Sequence, residues 1–168
     1  MASGHASEGP SAVAPGALGE VVSLHARWYA RHWNFGAYFE ALVARDLGGF
    51  LAEFHPGRDG FWVERDQAGA VAGSISIVGP RATEAPARLR WFIVDEHMQG
   101  HGLGRKLMRG AMQFCRDAGH RCVTLTTFAG LDAARALYEA HGFRLTDEHV
   151  DSTWGVPVTE QRFDWTAD

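Results

Sequence analysis

Three glycines at alternate positions give the clearest chemical signal in this sequence. Gly100, Gly102 and Gly104 follow an apolar stretch that ends at Val94, and an amphipathic stretch begins directly after them. A glycine lets a ligand approach the backbone because it has no Cβ. The free N–H groups at a helix start, with the positive end of the helix dipole, bind anions. We therefore predict that this loop binds a phosphate or pyrophosphate group.

Three phosphate-binding patterns compete for the loop. A dinucleotide fingerprint needs GxGxxG, but Arg105 stands at the last glycine position and no acidic residue follows in a βαβ unit. The pattern of a P-loop, GxxxxGK[ST], is absent from the sequence. The third pattern, Gln/Arg-x-x-Gly-x-Gly/Ala, is matched in full from Gln99 to Gly104. An ordinary glycine-rich helix start remains the structural alternative.

This third pattern resembles the signature of the GNAT acetyltransferases. A second stretch, 131–143, resembles the family motif N-x-x-A-x-x-L-Y-x-x-x-G-F, with Ala134, Tyr138 and Gly142 in their places. Leu131 stands where the family usually has Asn. The resemblance covers about residues 70–145 and implies a GNAT-like α/β fold, with a mixed, mostly antiparallel sheet, splayed central strands and about four flanking helices.

The resemblance also implies a binding site for acetyl-CoA. The cofactor would lie between two splayed strands, 89–94 and 122–127, with its pyrophosphate on the N–H groups of 100–105. Backbone groups near Ile93 and Val94 would polarise the thioester carbonyl, a form of oxyanion stabilisation. The Asn-to-Leu131 change weakens one contact to the pantetheine arm or moves it to Asp132 or Thr127. The implied cofactor residues are Ile93, Val94, Gln99, Gly100, His101, Gly102, Leu103, Gly104, Arg105, Leu131 and Ala134. No metal is expected.

The same resemblance assigns the general acid but not the base. Tyr138 would protonate the leaving thiolate after direct attack by the substrate amine. A tyrosine, with an ordinary pKa near ~10, is mostly protonated at neutral pH; the structural alternative is a core residue of an amphipathic helix. No motif marks the base, and Glu64, Glu84, His149 and Asp151 all stay candidates, as does a water relay.

Aromatic residues between two predicted N-terminal helices indicate an acceptor pocket. Trp33, Phe35 and Tyr38 lie at the break between these helices, and Trp154 lies in the last loop. Aromatic rings bind flat or cationic ligands. We expect N-acetylation of a primary amine of a small molecule. A protein lysine or N-terminal acetyltransferase, and a non-catalytic acyl-CoA-binding regulatory module, are the alternatives. The helix pair also resembles that of GNAT domains fused to MarR-type regulators.

Hydrophobic periodicity predicts the elements that must position these residues. Their order is α-α-β-β-β-α-β-α-β-β, within one domain over 17–168 and behind a flexible tail over 1–16. The predicted helices are 18–33, 38–54, 102–118 and 133–141, the last capped by Asp132. The predicted strands are 60–64, 70–78, 89–94, 122–127 and 158–165, and a further strand is predicted to begin at 143–145.

Composition narrows the class of protein. The chain has 168 residues, is 46% hydrophobic and carries a formal net charge of −4. Without basic runs it is not expected to bind nucleic acid or an anionic membrane. Cys115 and Cys122 form no CxxC motif, so reduced thiols in a cytoplasmic protein are expected. A homodimer is left open.

Overall fold

The computed structural model describes residues 13–82 and 85–167. Most of the predicted tail, residues 1–12, lies outside the described residues, as does the candidate base Glu84. The helices are α1 (Ala17–Trp33), α2 (Ala37–Ala52), α3 (Leu103–Asp117) and α4 (Asp132–Ala140), with a 3-10 turn at Glu96–Met98. The strands are β1 (Gly60–Arg65), β2 (Val71–Val78), β3 (Ala87–Val94), β4 (Cys122–Phe128), β5 (Arg144–Asp151) and β6 (Val158–Thr166). The predicted element order and fold class are confirmed.

One six-stranded sheet organises the chain, in the order β1-β2-β3-β4-β6-β5. Every neighbouring pair is antiparallel except β3 and β4, which run parallel. This parallel pair has only two register partners, Ala87 with Val123 and Arg88 with Thr124. Beyond these the two strands separate, so the middle of the sheet is split.

A bulge in β3 accompanies the split. The pairing with β2 runs from Ser76–Arg90 to Ser74–Ile93, so β3 has one more residue than β2 between these pairs. Trp91 lies in the bulge with φ 48°, a left-handed conformation that is unusual for a bulky residue. The buried Ser74 hydroxyl donates a 2.8 Å hydrogen bond to the Trp91 carbonyl, and the Ser76 hydroxyl donates one of 2.9 Å to the Arg90 carbonyl.

Two helix layers cover the sheet. The first two helices lie over one face, where α2 buries Phe39, Val43, Leu47 and Phe50 at helical spacing. The other face is covered by α3 and α4, whose buried residues include Met108. Among the described residues no helix combines the length and the apolar character needed to cross a bilayer.

Two details complete or correct the sequence prediction. Strand β5, for which only the beginning is predicted, runs to Asp151; all of its residues are exposed, so no buried alternation marks where it ends. The predicted cap Asp132 is wrong: the Arg135 N–H bonds to the Leu131 carbonyl at 3.0 Å. Leu131 is therefore the capping residue. Asp132 lies in the first turn, where its charge still favours the helix dipole.

Candidate functional site

Two cavities meet where the sheet is split. The glycine-loop cavity, about 590 Å³, lies beside the start of α3 and along α4. The helix-pair cavity, about 550 Å³, lies between the first two helices and the separated strands β3 and β4. Tyr29, Phe92 and Tyr138 line both of them. Ligands in the two cavities can therefore meet at these three rings.

Most of the predicted cofactor residues line the glycine-loop cavity. They are Ile93, Val94, Gln99, Gly100, Gly102, Gly104, Arg105, Leu131 and Ala134. His101 and Leu103 belong to the same loop but are not in the cavity wall. The His101 imidazole bonds to the Gln99 carbonyl at 3.0 Å, and Leu103 packs against the core under α3.

The loop has the features of an anion site. Gly100 and Gly102 have φ of 79° and 83°, a region that favours glycine. At Gly102, the residue before α3, no side chain caps the helix. The first N–H groups of α3 have no partner within the helix, and Arg105 adds a positive charge at this end. These groups suit a phosphate.

Gly104 has a packing role in addition to its place in the wall of the glycine-loop cavity. A Cβ at this position would lie 3.0 Å from Leu137 Cδ1 and 3.5 Å from the Phe92 ring. The glycine therefore lets α3 pack closely against α4 and β3.

Tyr138 lies at the junction of the cavities. Its side chain is 5% exposed, and its ring packs against Phe92, Phe143 and Phe163 with centroids 5.9–6.2 Å away. Burial raises the pKa of Tyr138 above the ordinary tyrosine value, and the charge interaction with Tyr29 raises it further. The hydroxyl is therefore protonated and can donate a proton. Tyr29 is one of several aromatic residues in the first helix pair that the sequence does not distinguish as a site residue; burial also raises its pKa.

The helix-pair cavity has aromatic walls and an excess of guanidinium groups. Its aromatic residues include Tyr29, Tyr38, Phe39, Trp91, Phe92, Phe128, Tyr138 and Trp154. Its charged residues are Arg45, Asp46, Arg88, Arg90 and Glu160. Asp46 pairs with Arg45 at 2.9 Å and with Arg90 at 3.1 Å. Within the described ranges, Arg88 and Glu160 form no ion pair, so Arg88 is available to an anionic ligand.

Of the three predicted acceptor residues, the structure places only Tyr38 in a cavity wall, 60% exposed. Phe35 is 3% exposed and packs on Tyr29 and Phe128. Trp33 packs edge-on against Phe128 with centroids 4.6 Å apart. These two rings therefore support the cavity wall from behind. Trp154 does line the cavity.

Three of the four predicted base candidates are among the described residues, and all three lie outside both cavity walls. Glu64 pairs with Lys106 at 2.8 Å, and His149 and Asp151 lie on the exposed strand β5. Instead the structure brings Asp46, His25 and Glu160 to the helix-pair cavity. The one sequence feature that could have indicated Glu160 is the alternation along the last strand, where Glu160, Arg162 and Asp164 alternate with Gln161, Phe163 and Trp165.

Buried polar atoms without a partner cluster at the two cavities. Among the described residues these atoms are His25 Nε2, Trp28 Nε1 and Glu160 Oε2. Residues His25 and Glu160 line the helix-pair cavity, and Trp28 lines the glycine-loop cavity. Folded proteins satisfy nearly all buried polar groups. These three atoms can therefore accept or donate hydrogen bonds to ligands or water in the cavities.

His25 can only accept a hydrogen bond at its second nitrogen. Its Nδ1 donates to the Val21 carbonyl at 2.8 Å, and burial lowers its pKa to about 4. The ring is therefore neutral at pH 7, and Nε2 carries a lone pair.

Comparison with known proteins gives consistent matches. Residues 20–143 match the sequence model of the acetyltransferase (GNAT) family. The chain is similar to human N-acetyltransferase 8, with 26% identity over 132 residues, 77% of this chain and 58% of that protein. It is also similar to mouse N-acetyltransferase 8, with 33% identity over 138 residues, 79% of this chain and 60% of that protein. The chain thus spans roughly three-fifths of these curated relatives.

The fold has similar solved structures. A GNAT-family acetyltransferase from Staphylococcus aureus Mu50 superposes with a TM-score of 0.73, at 15% identity, over 92% of this chain and 96% of that one.

Proposed function

Because the chain belongs to the acetyltransferase (GNAT) family, we propose that it transfers the acetyl group of acetyl-CoA directly to a primary amine of a small molecule that also carries an anionic group. The family uses acetyl-CoA as its co-substrate. The observation that carries the proposal is the meeting of two cavities at Tyr138 through the split sheet.

The glycine-loop cavity fits the co-substrate. The uncapped start of α3 and Arg105 would hold the pyrophosphate, and Leu131 and Ala134 would line the pantetheine arm. Beyond Arg88, β3 no longer pairs with β4, so the edge of β3 that faces β4 is open to the split as far as Ile93 and Val94. Backbone groups near these two residues would bind the thioester end and polarise its carbonyl.

The helix-pair cavity would hold the acceptor. An amine there attacks the thioester carbonyl, and the protonated Tyr138 gives its proton to the departing sulfur. The aromatic walls favour a ring or another apolar body. Arg88 suits a carboxylate, because guanidinium groups form strong hydrogen bonds with carboxylates.

A cavity of about 550 Å³ falls within the size range of small-molecule sites. This favours a small acceptor over a protein tail. The "N-acetyltransferase" in the names of the relatives supports nitrogen as the acceptor atom.

A panel of three acceptors tests the proposal through thiol release from acetyl-CoA. L-phenylalanine carries an amine, a ring and a carboxylate, phenethylamine lacks the carboxylate, and a peptide offers lysine and an N-terminus. We expect phenylalanine to be acetylated faster than phenethylamine. A preference for the peptide would instead show a protein acetyltransferase. Acetyl-CoA binding without thiol release would show a non-catalytic module.

A matched pair of variants tests the anion contact. Losing a hydrogen bond to a charged group costs about 1.5–3 kcal/mol, so Arg88→Gln should raise KM for phenylalanine about tenfold to a hundredfold. KM for phenethylamine should stay the same. Arg109→Gln, on the exposed surface of α3, is the control. An equal effect of Arg88→Gln on both amines would contradict the role of Arg88.

A further inference from the structure

We propose that Glu160 takes the proton from the ammonium group of the acceptor and that His149 passes this proton to solvent. This inference rests on the proposed function, because it assigns the proton acceptor for the same transfer. Glu160 is not among the base candidates that the sequence offers; two of those candidates, His149 and Asp151, lie on the solvent side of this carboxylate, which lines the cavity.

The register of the last three strands places Glu160 at the cavity. On β6 it lies opposite Phe128 of β4 and opposite His149 of β5. Phe128 and Glu160 both line the helix-pair cavity. Glu160 Oε2 is buried and has no hydrogen-bond partner among the described residues. A carboxylate that lacks a partner in a substrate cavity is a ready acceptor for an ammonium N–H.

The other possible proton acceptors in the cavity fit less well. Burial opposes ionisation of Asp46, but hydrogen bonds from Arg45 and Arg90 outweigh it and hold the pKa of Asp46 below its usual value. Its carboxylate is therefore occupied and weakly basic. The imidazole of His25, with a pKa of about 4, is also a weak base, although its lone pair can accept a hydrogen bond from the amine. Glu160 is the carboxylate that remains.

His149 connects Glu160 with solvent. One side-chain nitrogen or oxygen atom from each of His149, Asp151 and Glu160 lies within 4.8 Å of those of the other two, a gap that one water can bridge. The His149 side chain is 49% exposed, and its ring lies 3.0 Å from an Asp147 oxygen and 3.6 Å from an Asp151 oxygen. The Asp147 hydrogen bond first, then the charges of Asp147, Glu160 and Asp151, raise the pKa of His149.

Charged side chains from several elements face the group formed by His149, Asp151 and Glu160. Strand β5 contributes Asp147, His149 and Asp151, whereas its Glu148 accepts a bond from Gln161 at 2.6 Å. Across the cavity, α1 contributes His25 and α2 contributes Arg45 and Asp46, and β3 contributes Arg88 and Arg90. Strand β4 places the uncharged Phe128 next to Glu160.

These residues account for every proton that moves in the reaction. The ammonium gives one proton to Glu160, and the neutral amine forms the C–N bond to the acetyl carbon. When the C–S bond breaks, the sulfur takes the Tyr138 proton, and Tyr138 recovers a proton from the new amide nitrogen, directly or through water. Glu160 then loses its proton through His149, so one proton reaches solvent for each amide formed.

Glu160→Gln tests the proton acceptor by its pH profile. With L-phenylalanine at pH 7 we expect kcat to fall at least about a hundredfold, with the affinity for acetyl-CoA unchanged. The gap to the wild type should narrow as the pH approaches the pKa of the amine, because neutral amine then comes from solution. Glu160→Asp should keep the wild-type shape of the profile at a lower rate. Glu148→Gln, on the adjacent strand, is the matched control.

Two further measurements test the roles of Glu160 and His149. Phenethylamine and β,β-difluorophenethylamine have the same shape, but the fluorinated amine is much less basic; the loss in Glu160→Gln should be smaller for it. His149→Gln should slow turnover in dilute buffer, and added imidazole should restore the rate.

The outcomes separate this inference from the proposed function. If the wild type acetylates no amine, the proposed function is wrong, and the assignment of Glu160 falls with it. If the wild type acetylates amines but Glu160→Gln loses the same factor at every pH and for both phenethylamines, Glu160 only supports the fold or binds the acceptor. A wild-type rate in Glu160→Gln would also overturn the assignment.

Discussion

Changing Tyr138 to Phe removes one hydroxyl from the junction of the two cavities. The contacts of its ring with Phe92, Phe143 and Phe163 involve the aromatic face and edge, which Phe retains. The hydroxyl forms no hydrogen bond within the described residues, so the free energy of unfolding should change by less than about 1 kcal/mol. Any large effect on turnover therefore reports chemistry.

The expected loss in kcat follows from the role of a general acid. Such catalysis contributes about 10²–10⁴-fold, which corresponds to about 3–5 kcal/mol of transition-state stabilisation. The loss should lie near the lower limit, because a thiol with a pKa near ~8.5 is already a good leaving group. Since burial raises the pKa of Tyr138, the hydroxyl stays protonated and the loss should be constant from pH 6 to 9.

Single-turnover kinetics with saturating acetyl-CoA measure this loss. Calorimetry should give the same acetyl-CoA affinity for the variant and the wild type, and thermal unfolding should give nearly the same Tm. A loss confined to kcat indicates an interaction made mainly in the transition state. A Tyr138→Phe enzyme with the wild-type kcat, under conditions where chemistry limits turnover, would show that Tyr138 is only structural.

Three further changes test the loop, the bulge and the fold. Gly104→Val places a Cβ 3.0 Å from Leu137; we expect a loss of about 1–3 kcal/mol in stability and weaker acetyl-CoA binding, and unchanged affinity by calorimetry would refute this. Ser74→Ala leaves the buried Trp91 carbonyl without its 2.8 Å bond, so urea unfolding should show a loss of about 1–3 kcal/mol, together with slower turnover. Asp59 is fully buried, and although burial raises its pKa, its hydrogen bonds lower it overall. Its ionisation therefore stabilises the fold above the unfolded pKa of ~3.9, and this part is lost as the pH falls through the lower folded pKa. Asp59→Asn should be less stable at pH 7 and lose less stability between pH 5 and 2 than the wild type; equal acid sensitivity would contradict the reasoning.

The sequence predicted the features that depend on local patterning. The glycine loop before α3 and the position of Tyr138 on α4 follow from short motifs, and the helices follow from their apolar periodicity. The end of strand β5 has no such pattern, since none of its residues is buried.

The residues that line the helix-pair cavity could not be predicted in the same way, because their positions depend on which face of a strand packs against which helix. Alternation along the last strand puts Glu160 and Gln161 on opposite faces, but it does not say which face meets a cavity. Phe35 was predicted to contact the acceptor, whereas Asn34, with φ 55°, ends the helix in a left-handed turn and Phe35 is buried beyond it. Register and turn geometry decide these positions, and neither has a short motif in this sequence.

The bulge at Trp91 connects the stability of the sheet with its chemistry. Strand β3 stops pairing with β4 after Arg88, and the bulge then shifts the register of β3 with β2 at Trp91 and Phe92. The left-handed Trp91 costs of order 1–3 kcal/mol, and the Ser74 hydrogen bond to its carbonyl offsets part of that cost. The same bulge contains Phe92, whose ring lines both cavities beside Tyr138, so the strain at Trp91 accompanies the placement of a residue at the junction. Relieving the strain should therefore stabilise the fold only at the expense of turnover.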